Sequence, residues 1–360
     1  MTQRGLCSLL LLLALAQAGC GAVVSPARPA GDADAQRYLE RGRALIARGE
    51  MAAATTALRE ALRRRPDLTQ ARASLGLALY ALGDLDAAVD ELRAALGREP
   101  EAVSARLTLA AALVAKQEWV AARVELERIL AAQPAELQAR YSLGVVRYAQ
   151  GDLDGAIDAY RRVLAGDPQN QDARYNLALV LRLAHRDAEA APELLAAARA
   201  GHARAQYFAG TAYADGLGVE RDLATAIAWW FRAAEQGVTP AEEALAQLRQ
   251  VALGRGRRAA ADRPAAEQAF RDYRAALWKD FPELAPNGDD TVGGALLRQG
   301  RVGEAVPVLI REAGALSEPA QRLLDALYER GVEGLLPAHD PRILGYFDRA
   351  AAEGLRSPVR

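Results

Sequence analysis

Small and apolar positions return along this chain with a period of 34 residues. Pro66, Pro100, Pro134 and Pro168 stand in one register, and Arg72, Arg106, Arg140 and Arg174 in another. Ala54, Ala88, Ala122, Ala156 and Ala190 form a third series. Gly49, Gly83 and Gly151 share a fourth; Gly42, Gly76 and Gly144 share a fifth, whose gaps are filled by Ala110 and Ala178. Five coincident series make an internal repeat, the first thing to establish in any chain of this length. Each period holds two amphipathic helices. The first ends at a glycine turn such as Gly83-Asp84 or Gly151-Asp152, and the second is stopped near the proline. Gly76, Ala88 and Ala95 are small enough for the two helices to approach closely, and Leu75, Leu79 and Leu92 fill the seam. Helices of this length are marginal alone, so stability has to come from stacking on neighbours.

The unit 137–170 contains Leu-Gln-Ala-Arg-Tyr-Ser-Leu-Gly, then Gly-Asp-Leu-Asp-Gly-Ala-Ile-Asp-Ala-Tyr, and closes on Asp-Pro-Gln-Asn. It resembles the tetratricopeptide repeat (TPR) family. The other units run 35–68, 69–102, 103–136 and, more weakly, 171–204, so that five units occupy 35–204. From residue 198 the pattern changes to Gly-His-Ala-Arg-Ala-Gln-Tyr-Phe, a long turn Asp-Gly-Leu-Gly-Val-Glu-Arg-Asp, and a helix with Ala-Trp-Trp-Phe-Arg-Ala-Ala-Glu-Gln-Gly. This resembles a Sel-like repeat, a TPR relative with a longer glycine-rich turn, assigned to 205–250. An echo of it over 318–356 repeats Ala205-Gln206, Tyr213 and Gly216 as Ala320-Gln321, Tyr328 and Gly331, with an insertion around Leu335–His339. Between them, 251–317 reads as linker and degenerate helical repeats. There, 265–280 after Pro264 is expected as one helix, Asp280–Asp290 as a loop, and Gly293, Gly300, Ala305 and Leu309 fall in register for one more helical pair. The fold implied by the resemblance is all-α, a right-handed α-α solenoid of TPR and Sel-like helix-turn-helix repeats.

Leu6 to Ala16 is an apolar run behind Arg4, the length of a signal-peptide core and too short to span a bilayer. Residues 1–19 are therefore read as a signal peptide and 20–34 as a flexible tether rich in small residues and proline. Two processing readings stand side by side. Ala16-Gln17-Ala18 suits cleavage after Ala18, which gives a soluble periplasmic protein. Ala18-Gly19-Cys20 resembles the end of a bacterial lipobox, although Gln17 departs from its usual apolar residue. On that reading Cys20 carries a lipid that anchors the chain at the periplasmic face of the outer membrane. Cys20 is the cysteine left after Cys7 is removed with the signal. Its other explanation is a small residue that happens to be Cys.

Composition narrows the chemistry. With 45 Lys+Arg against 46 Asp+Glu the net charge is −1, which offers no basic field for nucleic acid. About 80 alanines, and arginine in place of lysine everywhere except Lys116 and Lys279, favour helix and argue against an all-β fold. Two cysteines and three scattered histidines supply neither a zinc site nor a disulfide framework. No Gly-x-Ser-x-Gly elbow, P-loop or His-Glu-x-x-His segment occurs. Gly254-Arg255-Gly256-Arg257-Arg258-Ala259 imitates a dinucleotide motif but follows a helical stretch where a strand is required. His202 lies where the Sel-like family itself often has Gly-His, His185 replaces a turn glycine, and His339 lies in the insertion; packing accounts for them. No cofactor, metal or catalytic residue is expected.

Binding surfaces remain. In TPR proteins the first helix of each pair lines a groove, and residues at i, i+4 and i+7 share a helix face. Those sets are Leu39, Arg43, Ile46; Ala73, Leu77, Tyr80; Leu107, Ala111, Val114; Tyr141, Val145, Tyr148; and Tyr175, Leu179, Arg182. Leu77, Tyr80, Tyr141, Val145, Tyr148, Tyr175 and Arg182 are the candidate partner-binding residues, suited to a helix or extended segment of another protein, since Tyr and Arg favour interfaces. Part of this face is also accounted for by packing between repeats. The arginines 249, 255, 257, 258 and 263 form a basic cluster. It reads either as a solvated helix end and linker or, through Arg255, Arg257 and Arg258, as a contact for an anionic partner. Trp229 and Trp230 are expected as one core and one partly exposed residue rather than a sugar platform. The resemblance implies a non-catalytic protein-interaction scaffold of the bacterial envelope, assisting assembly of an outer-membrane export, pilus or cell-wall complex. The alternative is a periplasmic adaptor that binds a glycan or exopolysaccharide.

Overall fold

The computed structural model describes residues 30–255, 259–284 and 291–356. Cys20, Arg257 and Arg258 lie outside the described residues, as does the whole segment read as signal peptide. Among the described residues every regular element is a helix, and an isolated bridge between Val332 and Leu336 is the one extended pairing. The fold class is all-α, built of helix-turn-helix repeats of the solenoid kind. The chain divides into two compact units, ending and beginning at Lys116 and Gln117.

The first unit holds α1 (Ala30–Ala47), α2 (Met51–Arg64), α3 (Thr69–Leu82), α4 (Leu85–Leu96) and α5 (Val103–Ala115). Helix α1 begins inside the segment read as tether. Asp32 in its first turn and the Asp34–Arg37 ion pair favour a helix N-terminus there. The close approach expected of the small residues is visible at Gly76, where a Cβ would stand 2.5 Å from Leu92 Cγ, and at Gly42, where it would stand 2.6 Å from Leu58 Cγ. Ala54 and Ala88 are fully buried across the same seams.

The second unit opens with α6 (Trp119–Ala132), α7 (Leu137–Ala149), α8 (Leu153–Gly166), α9 (Gln171–Leu183) and α10 (Asp187–Arg199). Gly151 turns with φ +80°, the left-handed conformation that glycine adopts without cost. Where the register lacks glycine, Gln117 and His185 take the same conformation at φ +60° and +58°. Asp152 then caps α8 by accepting from Gly155 N at 2.9 Å.

The Pro and Arg series, separate in the sequence, meet in space. Arg174 donates to the Pro168 carbonyl at 2.7 Å, and Arg140 donates to that of Pro134. In the first unit Arg72 donates to Pro66 O at 3.0 Å, and Arg106 to Pro100 O. Every joint between these units is bracketed by the same bond. It satisfies a carbonyl of the turn that joins one repeat to the next.

Helices α11 (Ala203–Asp215) and α12 (Leu223–Glu235) form the Sel-like hairpin, which starts two residues ahead of 205. Its turn passes so close to α10 that a Cβ on Gly218 would lie 2.5 Å from Asp187 O. Asp222 starts α12 with bonds from Ala224 N, Thr225 N and the Thr225 hydroxyl. Beyond it come α13 (Thr239–Ala252), α14 (Ala259–Leu277), a short 3-10 turn Trp278–Asp280, α15 (Val292–Arg298), α16 (Val302–Gly314), α17 (Glu318–Arg330) and α18 (Pro341–Ala352). Helix α14 starts before Pro264 rather than after it and ends at Leu277, a correction to the single helix 265–280. Pro264, the sixth residue of the helix, has no N–H to bond the carbonyl four residues back. Phe231 stacks on Tyr273 at 5.1 Å in a core shared by α12, α13, α14 and α15, with Trp230, Phe270 and Leu296. A second core joins α16, α17 and α18 through Leu309, Tyr328 and Phe347.

Candidate binding face and the relatives of the chain

The first helices of successive hairpins in the second unit, α7, α9 and α11, carry a run of aromatic side chains. Tyr141 is half-buried, edge-on to Tyr160 at 5.7 Å, and its hydroxyl accepts from Asn176 Nδ2 at 2.7 Å. That bond leaves the Tyr141 proton free to donate. Val145 packs beside it on the same core. Tyr148, one turn on, is 40% exposed and is the most open large apolar side chain of the face. Tyr175 is almost buried: its ring stacks on His202 at 4.5 Å and leans on Phe208 at 6.1 Å. Arg182 holds its guanidinium 5.6 Å from the Phe208 ring centre, a cation–π geometry, and Tyr207 meets Phe208 edge-on at 5.1 Å.

Burial, then the neighbouring Asp172 carboxylate, holds the Tyr141 phenol above its ordinary pKa. Burial does the same at Tyr175, against the pull of Arg204 and Arg182. Both rings are therefore neutral hydrogen-bonding groups with an apolar body. Such a surface can cover an apolar side chain and pair a peptide group at its edge.

The structure sorts the sequence candidates into three groups. Tyr141, Val145, Tyr148 and Arg182 share this face with Phe208, whereas Tyr175 serves as its packing base. Leu77 and Tyr80 belong to α3 in the first unit. Leu77 is 38% exposed and lines an open pocket of about 310 Å³ with Arg43, Ala73, Ser74, Ser104 and Thr108. Of the proposed anionic contact only Arg255 is described; it is exposed and donates to the Gly354 carbonyl at 3.1 Å. Phe208 and Asn176 escaped the sequence reading, whereas His202, read there as a packing residue, stacks on Tyr175. Phe208 lies one residue off the register of Tyr141 and Tyr175, because the Sel-like hairpin begins there.

Two further expectations change. Trp229 and Trp230 are each 7% exposed, so neither presents a ring to a sugar. Trp229 packs under Tyr175 and Ala209, and Trp230 lies against Gly210, where a Cβ would come within 2.5 Å of it. In the basic cluster, two arginines are engaged within the chain. Arg249 is 7% exposed and bound to Glu353 through Nε at 2.6 Å and Nη2 at 2.5 Å, while Arg263 pairs with Glu267 at 2.6 Å. His202 caps α11 by accepting from Ala205 N through Nδ1 at 3.0 Å, which accounts for it structurally. Among the described residues no group of three or more His, Cys, Asp or Glu is placed to hold a metal ion, and no helix is long and apolar enough to cross a membrane.

Three family models match the chain: the TPR domain of cytochrome c-type biogenesis protein H over 32–175, a tetratricopeptide repeat over 147–212, and the Sel1 repeat over 203–238. No curated protein matches it. Among solved structures it is similar to MamA (residues 41 to the end) from Desulfovibrio magneticus RS-1, with 24% identity over 46% of this chain and 93% of that one, at a TM-score of 0.44. It is also similar to YrrB, titled a TPR protein with an unusual peptide-binding site, with 23% identity over 46% of this chain and 86% of that one, at a TM-score of 0.42. From residue 32 to residue 238 the chain is a tetratricopeptide-repeat protein continued by a Sel1 repeat, a protein-interaction scaffold in its architecture.

Proposed function

We propose that this chain is a non-catalytic scaffold of the bacterial cell envelope that receives a helix or extended segment of a partner protein on the face of α7, α9 and α11. The observation that carries the reading is Tyr148, 40% exposed on α7, the helix that also carries Tyr141 and Val145. An exposed tyrosine on a pre-formed aromatic surface loses little conformational freedom on binding, which is why such residues dominate interfaces. The envelope placement draws its support from Leu6–Ala16 and Cys20 in the sequence. An assembly role is in keeping with the biogenesis protein that gives its name to the model over 32–175. Within that role the partner is an outer-membrane export, pilus or cell-wall complex.

A photo-crosslinking residue placed at Tyr148 in intact envelopes tests the reading. Recovery of a defined outer-membrane channel or secretin supports it; crosslinks no different from those at an exposed site such as Asp86 refute it. Cys20→Ala is expected to abolish labelling by a fatty-acid analogue, and unchanged labelling removes the lipid anchor. The glycan-adaptor alternative has lost its tryptophan pair and now stands on Arg255, Arg257 and Arg258. Retention on polysaccharide without any protein partner is the result that favours it.

A further inference from the structure

The 34-residue repeat carries a charge pair whose second member is missing from one unit. Arg72 binds Glu91 at 2.9 Å, and Arg174 binds Glu193 at 2.7 Å; in both cases the carboxylate lies 19 residues after the arginine, on the second helix of the same hairpin. Glu125 stands at the equivalent place after Arg106. After Arg140 that place is held by Ala159. Arg140 keeps its bracket to the Pro134 carbonyl and has no carboxylate partner among the described residues.

The absent carboxylate leaves space. An open pocket of about 400 Å³ lies between α6, α7 and α8, lined by Ala159, by the carboxylates Glu127 and Asp158, and by the cations Arg140, Arg147 and Arg162. Two of these cations are answered locally. Arg162 binds Asp158 at 3.0 Å, and Arg147 donates to Gly155 O at 3.1 Å. Arg140 is half-buried, with most of its five N–H donors unspent. A guanidinium in that position attracts a carboxylate more strongly than one in open water. Leu130, Pro134 and Leu143 add apolar wall, suited to the methylene stem of an acidic side chain.

We propose that the pocket at Arg140 is a docking site for a glutamate side chain on a partner polypeptide, which takes the place that Glu91 and Glu193 fill from within in their own units. The occupant is an acidic peptide segment because the sibling units show this arginine position bonded to a carboxylate. The site uses residues other than those of the aromatic face, and its success or failure is separable from the reading of that face.

The test is fluorescence anisotropy of a labelled, end-blocked hexaglutamate peptide with the purified chain. Ala159→Glu supplies the missing carboxylate internally, at the repeat position that Glu91 and Glu193 hold in their own units. It is expected to weaken peptide binding by about tenfold while leaving the melting temperature unchanged or raised. Arg140→Gln is expected to weaken binding to a similar extent, and about 0.5 M salt to weaken it further. Tyr148→Ala is expected to leave it unchanged. Absence of binding by the wild-type chain overturns the proposal, as does unchanged binding in Ala159→Glu or a loss confined to Tyr148→Ala. Sodium acetate should compete at least as well as inorganic phosphate; displacement by phosphate at about tenfold lower concentration reassigns the pocket to phosphate and overturns the glutamate assignment.

Discussion

The regular hairpins of 35–204 and the irregular helices of 239–356 are both packed helix on helix, but they are held in different ways. In the regular part each tie is short in sequence: a small residue under a large one 16 positions on, as Gly76 under Leu92, or an arginine bonded to a proline carbonyl six residues back. In the irregular part the ties are long. Arg249 on α13 reaches Glu353, 104 residues away, and its Nη1 donates to Gly314 O at 3.3 Å. Arg311 on α16 grips Glu235 at the end of α12, 76 residues away, with Nη2 to Oε2 at 2.8 Å. Glu312, buried, accepts from Val292 N at 2.8 Å and Gly293 N at 3.1 Å and so starts α15. A repeat is stabilised by sums of neighbour contacts, and one joint more or less changes little elsewhere. Once the period decays, few positions carry the closure of the chain on itself.

The largest expected effect follows from that contrast. Glu353→Ala strips a buried guanidinium of its partner and should cost about 3–5 kcal/mol, read as a lowered midpoint in urea. A loss no greater than that of an exposed ion pair such as Arg162–Asp158 would erase the distinction between the two regions. Next, Ala88→Leu or Ala156→Leu overpacks a regular seam and should cost about 1–3 kcal/mol, seen as a fall in melting temperature; an unchanged midpoint contradicts the assigned register.

The capped helix starts beyond residue 204 should also respond to pH. At Asp222 burial opposes ionisation, but the bonds from Thr225 and Ala224 outweigh it and hold the carboxyl below its ordinary range. At Asp340 the Arg342 guanidinium is the main cause of the same lowering. A carboxyl depressed in the folded state stabilises fully above its unfolded pKa, and that stability is lost as pH falls through the folded value. Acid titration below about pH 4 should therefore loosen the helix starts of α12 and α18, and Asp222→Asn should flatten the response in thermal melts. The smallest effect is a gain: Gln117→Gly and His185→Gly relieve left-handed backbone at a non-glycine residue and should each add about 0.5–1 kcal/mol.

The regular part was legible because its physics is periodic. Gly42, Gly76 and Gly144 had to be small for a local reason that recurs, and the chain advertises such reasons by repetition. What the sequence did not reveal is that its proline and arginine series bond each other, since spacing alone carries no direction. Past residue 238 the constraints are pairwise and long-range, so Arg249 looked like one member of a basic cluster when it is half of a buried pair. Proline misled in the same region, because Pro264 sits within the first turns of α14 rather than ahead of it. At the binding face Tyr141, Val145 and Tyr148 could be placed by helical spacing, whereas Phe208 could not, since the change of repeat type shifts it by one residue. Spacing also could not tell Tyr148 from Tyr175: both are tyrosines on first helices, and only the stacking of His202 on Tyr175 closes that ring off.

The proline-to-arginine bracket has a consequence for how such a chain can change length. Removing residues 69–102 would place Arg106 six positions after Pro66, the spacing that Arg72 has now, and the new joint would arrive with its latch already cut to size. Duplicating one period has the same property in reverse. A cut made between a proline and its arginine in two repeats restores the six-residue spacing only when it removes a multiple of 34 residues. For cuts at the joints the bracket therefore acts as a ruler, and there it admits only whole units as the steps by which this part of the chain can grow or shrink.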